Sequence, residues 1–107
     1  MIDVEKAPLR GSLADHLGKT PPAPGTASLV WLGQAGFLLR GGAGRNGRPD
    51  ATAVIDPYLS DYLAGKYAGA EFPHIRMTRA PISPGELTGG DTVFCIHAHS
   101  DHMDPGT

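Results

Sequence analysis

The sequence predicts a mixed α/β (α+β) fold built mainly of short β-strands with a few short helices. Two observations carry this. Fifteen glycines and ten prolines in 107 residues stand between brief apolar runs, the pattern of strands joined by tight connections rather than of a helical bundle. No run is long enough and evenly enough spaced for a long amphipathic helix. An apolar content of 40 % sets one small domain as the ceiling.

The first element expected is a peripheral helix at "SLADHL", where the Ser12 hydroxyl can cap and Asp15 sits near the positive helix end. "KTPPAPGT" (19–26) then reads as an extended linker, because its prolines lack amide donors and restrict their predecessors. Residues 1–27 are therefore an N-terminal extension and Pro-rich linker, and 28–107 form the domain proper. "SLVWLG" (28–33) and "GFLLR" (36–40) are strands separated by Gln34 and Ala35 between two glycines, a β-hairpin. "GGAGRNGRPD" (41–50) is a polar loop into a third strand, "ATAVID" (51–56), which Pro57 ends. "PYLSDYLAGKYAGAEF" has mixed spacing, consistent with a loop holding one helical turn. "SPGEL" (83–87) combines a capping Ser83, Pro84 at the first helical position and Glu86 three after the cap. "TVFCIH" (92–97) reads as a continuous, buried strand, and "DPGT" offers Asp104 as the cap of a helix that would follow.

The totals bound function as well as fold. A formal charge of -2 supplies no field to gather nucleic acid or an anionic membrane, so neither is expected as a partner. The N-terminus has neither a signal peptide's pattern nor a membrane span's, and a single cysteine, Cys95, fits a reducing, cytoplasmic setting.

Chemistry concentrates in "HAHSDH" (97–102), which holds three of the five histidines. On an extended segment His97 and His99 project to the same side and can converge on one cation. Asp101 continues that period, and a backbone turn at His102 would present Asp101 and His102 to a second, adjacent cation. Histidine with carboxylate is a donor set that borderline divalent metals select. An accidental histidine tract would lack the apolar strand before it and the helix cap behind it.

Other features read more plainly. "GAGRNG" (42–47) satisfies G-x-G-x-x-G, yet it leads into a strand and opens no helix for a phosphate. Arg76 and Arg79 could clamp an anion or be solvated surface. Tyr58 and Tyr62 could line a site mouth or simply pack.

"HAHSDH" after an apolar strand resembles the H-x-H-x-D-H signature of the metallo-β-lactamase fold superfamily, with "WLGQAGFLL", "IDPYLSD" and "HSDHMDP" following in that superfamily's order. "GQAGF", "DPYLSD" and the "R-M…P-I" stretch are most similar to the L-ascorbate-6-phosphate lactonase-like branch; a phosphodiesterase branch shares the hairpin and the Asp-Pro. The resemblance covers about 29–107. It implies an αββα sandwich of which this chain is the N-terminal portion, since family members are longer, and so a truncated fragment inactive alone. It implies two divalent metal ions, zinc or manganese, the first on His97 and His99 and the second on Asp101 and His102, with further ligands downstream. Asp101 would also orient the metal-activated hydroxide and take up its proton. Asp56 would accept a hydrogen bond from a ligand histidine, fixing its orientation. The implied activity is hydrolysis of a lactone or phosphoester, with a small-molecule substrate such as a phosphorylated sugar-acid lactone. The competing expectation is a non-catalytic metal-binding or interaction module, completed by a second chain, for instance a homo-oligomer pairing two copies of His97 and His99.

Overall fold

A computed structural model of the chain describes residues 4, 9, 11–19, 21–42 and 51–107. Among these residues the architecture is a four-stranded mixed sheet with two short α-helices and one 3-10 turn, in agreement with the fold class expected. The glycine-rich loop, and most of "GAGRNG" with it, lies outside the described residues.

The sheet runs β1 (Ala27–Gly33), β2 (Gly36–Gly41), β3 (Thr52–Ile55), β4 (Thr92–Phe94), in spatial as in chain order. The first three form an antiparallel meander, and β4 joins β3 in parallel. The β1–β2 turn puts two successive residues at positive φ, Gly33 at 94° and Gln34 at 54°; glycine takes such a value freely and glutamine rarely does. The Gln34 carbonyl accepts a hydrogen bond from the Trp31 indole N–H at 2.9 Å, which closes the turn.

Register assigns the side chains to two faces. Val30, Leu38, Val54 and Val93 align across the strands on one of them. Leu38 and Val54 there join Leu13, Leu32, Leu59 and Ile82 in the core. Each such leucine contributes about 1.5–3 kcal/mol on leaving water. Leu29, Trp31, Leu39 and Phe94 belong to the other face and remain 63 %, 55 %, 40 % and 55 % exposed.

Helix α1 (Leu13–Lys19) starts as expected, with the Ser12 hydroxyl accepting the Asp15 amide at 3.1 Å. It is not peripheral: Leu13 is buried in the core, and the buried Arg40 of β2 donates to the Leu17 carbonyl near the helix C-terminus, 3.2 Å away, where a cation meets the negative helix end. Burial holds the Arg40 guanidinium below its ordinary pKa. Helix α2 (Tyr62–Lys66) is the single turn anticipated between 57 and 72. Pro84–Glu86 is a 3-10 turn in which Glu86 Oε2 accepts both the Ser83 amide, at 3.1 Å, and the Ser83 hydroxyl, at 2.6 Å.

The strand expected over 92–97 is shorter and more open than its sequence suggests. β4 ends at Phe94, and Thr92, Val93 and Phe94 are all exposed. An apolar run specifies a strand suited to burial, but burial depends on what packs against it. β4 stands at the sheet edge, with β3 as its only strand neighbour among the described residues. No helix of the described residues is long and apolar enough to cross a membrane.

Candidate metal centre

Where β4 stops, a carboxylate continues the pairing. The amide of Asp56, just past β3, donates to the Phe94 carbonyl at 2.8 Å, and Asp56 Oδ1 accepts the Ile96 amide at 2.7 Å. Asp56 adopts φ 42°, a left-handed conformation that aspartate tolerates better than most residues. Its side chain is fully buried, and its second oxygen, Oδ2, lies 2.9 Å from His102 Nδ1. Neither of those two atoms has another partner among the described residues. Burial pushes the Asp56 carboxyl up, but contact with His102 and the Ile96 amide outweighs it and holds the group below the usual carboxylate range. The pair is an ionised carboxylate facing the Nδ1 edge of an imidazole, which leaves His102 Nε2 to point elsewhere.

Residues 97–103 do not continue as an extended segment. The His99 carbonyl accepts the amides of His102, at 2.9 Å, and Met103, at 2.8 Å, so the chain turns there. That turn regroups the donors. Ligand atoms of His97, Asp101 and His102 all lie within 4.8 Å of one another, and His102 Nε2 sits 3.5 Å from Asp101 Oδ2. The His97 ring contacts His102, with centroids 3.7 Å apart, and meets His99 edge-on at 4.7 Å. All four loop residues named from the sequence are thus brought together, but the alternation argument that joined His97 to His99 does not describe the grouping. His97 falls in with Asp101 and His102, and His99 stands beside that set. Two imidazole nitrogens and one carboxylate oxygen make a donor set suited to a divalent cation. Among the described residues there is no second group of three such donors.

The far end of the loop is tied down by a second carboxylate. Asp104 Oδ2 accepts the Ser60 amide at 3.1 Å and Oδ1 accepts the Ser60 hydroxyl at 2.7 Å. The Gly106 amide donates to Asp104 at 2.9 Å and the Thr107 hydroxyl donates to it as well, while the Leu59 amide donates to that same hydroxyl oxygen at 3.0 Å. A Cβ at Gly106 would stand 2.6 Å from Ser60, so this contact requires glycine. Partial burial raises the Asp104 pKa, yet these hydrogen bonds hold it below the ordinary aspartate value. Asp104 thus closes a turn over 104–107, where no helix is described, and links the loop to 59–60.

The remaining candidates sort clearly. Arg76 donates to the carbonyls of Tyr58 and, at 3.1 Å, Thr78, and its guanidinium lies 4.9 Å over the Tyr58 ring. Its Nη2 is buried with no partner among the described residues, against Gly33, where a Cβ would come within 3.0 Å. This arginine braces the fold. Tyr58 packs, 1 % exposed, with its hydroxyl accepting the Leu63 amide at 3.1 Å; Tyr62 and Arg79 are exposed. Sequence reasoning assigned no role to Ser60, although it lies within "IDPYLSD", and it left Lys66 and His74 without a role. These two line a cavity of about 400 Å³ together with His99 and Asp101. Only the fold brings the 66–74 segment to the 97–102 loop.

No family model, curated protein or solved structure matches the chain.

Proposed function

We propose that the 97–102 loop is the metal-holding part of a divalent-metal hydrolase centre acting on a lactone or phosphoester. The observation that carries the reading is the grouping of His97, Asp101 and His102 within 4.8 Å, backed by buried Asp56 on the Nδ1 side of His102. A metal-ligating histidine characteristically offers its other ring nitrogen to such a carboxylate. The superfamily resemblance, down to the order of its motifs, adds to this. Zinc and manganese both suit these donors. When bound, the cation supplies Lewis acidity that lowers the pKa of water toward neutrality. The chain's own residues do the rest. Asp56 fixes the His102 tautomer so that Nε2 faces the donor group. Asp101, partly exposed, orients the water and takes up its proton. His99 is the imidazole on which a second ion of the pair would draw, with donors beyond this group. The exposed Cys95 thiol fits a reducing, cytoplasmic compartment.

Calorimetric titration of the chain with Zn²⁺ and Mn²⁺ tests this. One ion bound with an affinity lost in His97→Ala and in Asp101→Asn is the expected result, with turnover on a lactone and phosphodiester panel as the readout of activity. Absence of saturable binding of either metal would refute it. A second reading, a non-catalytic module paired with another copy of itself, is favoured by the open apolar face bearing Leu29, Trp31 and Phe94; dimerisation that requires the metal and is lost in His99→Ala would select it.

A further inference from the structure

The cavity beside the loop has a lining that the metal reading does not use. Lys66 and Tyr67 at the end of α2, and His74 beyond it, form one wall; His99 and Asp101 form the other. The His74 ring stacks on Tyr67, with centroids 4.2 Å apart and planes 29° apart, and Lys66 Nζ lies 5.4 Å from the same Tyr67 centroid. Tyr67 thus holds an ammonium and an imidazole on one side of the opening. Among the described residues Lys66 forms no ion pair. Asp101 is the only carboxylate in the lining, on the wall opposite Lys66 and His74. A lysine with no ion pair and an imidazole at one opening supply positive charge and N–H donors to a negatively charged group. The arginine that the sequence offered for such work, Arg76, is committed to the Tyr58 and Thr78 carbonyls.

We propose that this cavity is an anion subsite: Lys66 and His74 receive a phosphate or carboxylate substituent of the molecule acted on at the metal loop. That the anion belongs to a molecule acted on at the loop rests on the metal-centre reading; binding of the anion itself does not. The ammonium contributes charge and rotatable donors, and the imidazole an N–H donor. Tyr67 sets their spacing by ring contact. At about 400 Å³ the cavity is in the size range of small-molecule sites. The sugar-acid and phosphoester substrates considered above become specific in one respect: the anionic group lies on the α2 side of the bond that is cut.

The test uses the 107-residue chain stripped of metal by chelation, titrated with inorganic phosphate and separately with acetate, while NMR follows the side-chain signals of Lys66 and His74. Saturable shifts of both signals, weakened roughly tenfold in Lys66→Gln and in His74→Ala as expected for loss of a charge-assisted contact, support the subsite. Tighter binding of phosphate than of acetate assigns it to a phosphate, and the reverse to a carboxylate. Shifts that do not saturate, or that persist unchanged in both variants, overturn it. Zn²⁺ titrations of the same variants separate the two ideas. Zinc affinity within twofold of the parent chain alongside weakened phosphate binding places the anion on Lys66 and His74 rather than on the metal loop. Failure of the parent chain to bind zinc sinks the metal reading and leaves the phosphate result standing.

Discussion

Leu38 and Leu39 are neighbours on β2, and they live in different solvents. Leu38 is 1 % exposed and Leu39 40 %. On the Leu38 side the sheet is covered by Leu13 of α1, Leu59 and Ile82. On the Leu39 side the aligned residues include Leu29, Trp31, Phe37, Ile55 and Phe94, and none of these is fully buried. Antiparallel strands with one wet face ordinarily alternate apolar with polar. β2, written "GFLLR", does not. Its composition belongs to a sheet covered twice, and the described residues cover it once. The 97–102 loop sits where this matters most: it follows β4, which is exposed throughout, so it is held by the Asp56 and Asp104 hydrogen bonds rather than by burial.

The two faces should respond differently to the same truncation, and this is the largest effect expected. Leu38→Ala should cost about 2–5 kcal/mol of unfolding free energy through lost transfer energy and a residual cavity. Leu39→Ala should cost less than about 1 kcal/mol, because a partly exposed side chain leaves little behind. Denaturant melts of both variants check the pair, and equal losses would mean that the open face is covered in solution. Trp31, the only tryptophan in the chain, offers a direct probe. Its fluorescence should be quenched freely by acrylamide, and protection that grows with protein concentration would identify a second copy as the cover.

The next effect separates the loop from the sheet. Asp56→Ala leaves the Ile96 amide and His102 Nδ1 without their acceptor, which should destabilise the chain by about 1–3 kcal/mol. Loss of such a partner should also weaken zinc binding roughly 10–100-fold. Leu38→Ala should not change zinc affinity in the fraction that remains folded. Calorimetry on both variants distinguishes an ordering role for the carboxylate from a general loss of stability.

The smallest effect lies outside the donor group. The two Ser83 hydrogen bonds hold the Glu86 carboxyl below its ordinary range. A depressed folded-state pKa contributes stability that is present above the unfolded value and is lost as pH falls through the folded one. The Ser83 amide resonance, followed through an acid titration, should therefore shift with a midpoint below the ordinary glutamate range, with the 97–102 loop unperturbed at neutral pH.

The contrast between faces also marks what was legible in the sequence. The hairpin, the third strand, the Ser12 cap and the Ser83–Glu86 pair could all be read because each is specified by residues within a few positions of one another. The partnership of Asp56 with a loop histidine was anticipated through the resemblance, and the contact is present. Burial of β4 could not be read, since an apolar run does not say what will cover it. The grouping of His97 with Asp101 and His102 depends on a turn at His99 that a two-residue alternation does not contain. The joining of Ser60 to Asp104, 44 positions along, and the placing of Lys66 and His74 beside the loop arise only when the sheet closes.

That closure has a cost in time. β1 and β2 meet across a two-residue turn, whereas the parallel pairing of β3 with β4 brings together residues such as Thr52 and Asp91, 39 positions apart. Distant contacts must offset loop-closure entropy before they gain anything, so the hairpin is expected to form early in refolding and β4 late. Pulsed hydrogen exchange should find the Leu38 amide protected before that of Ile96. Asp56 can orient His102 only after that last strand has docked. The donor group is then the final part of the chain to take shape, and a cation that arrives early meets histidines not yet arranged to hold it.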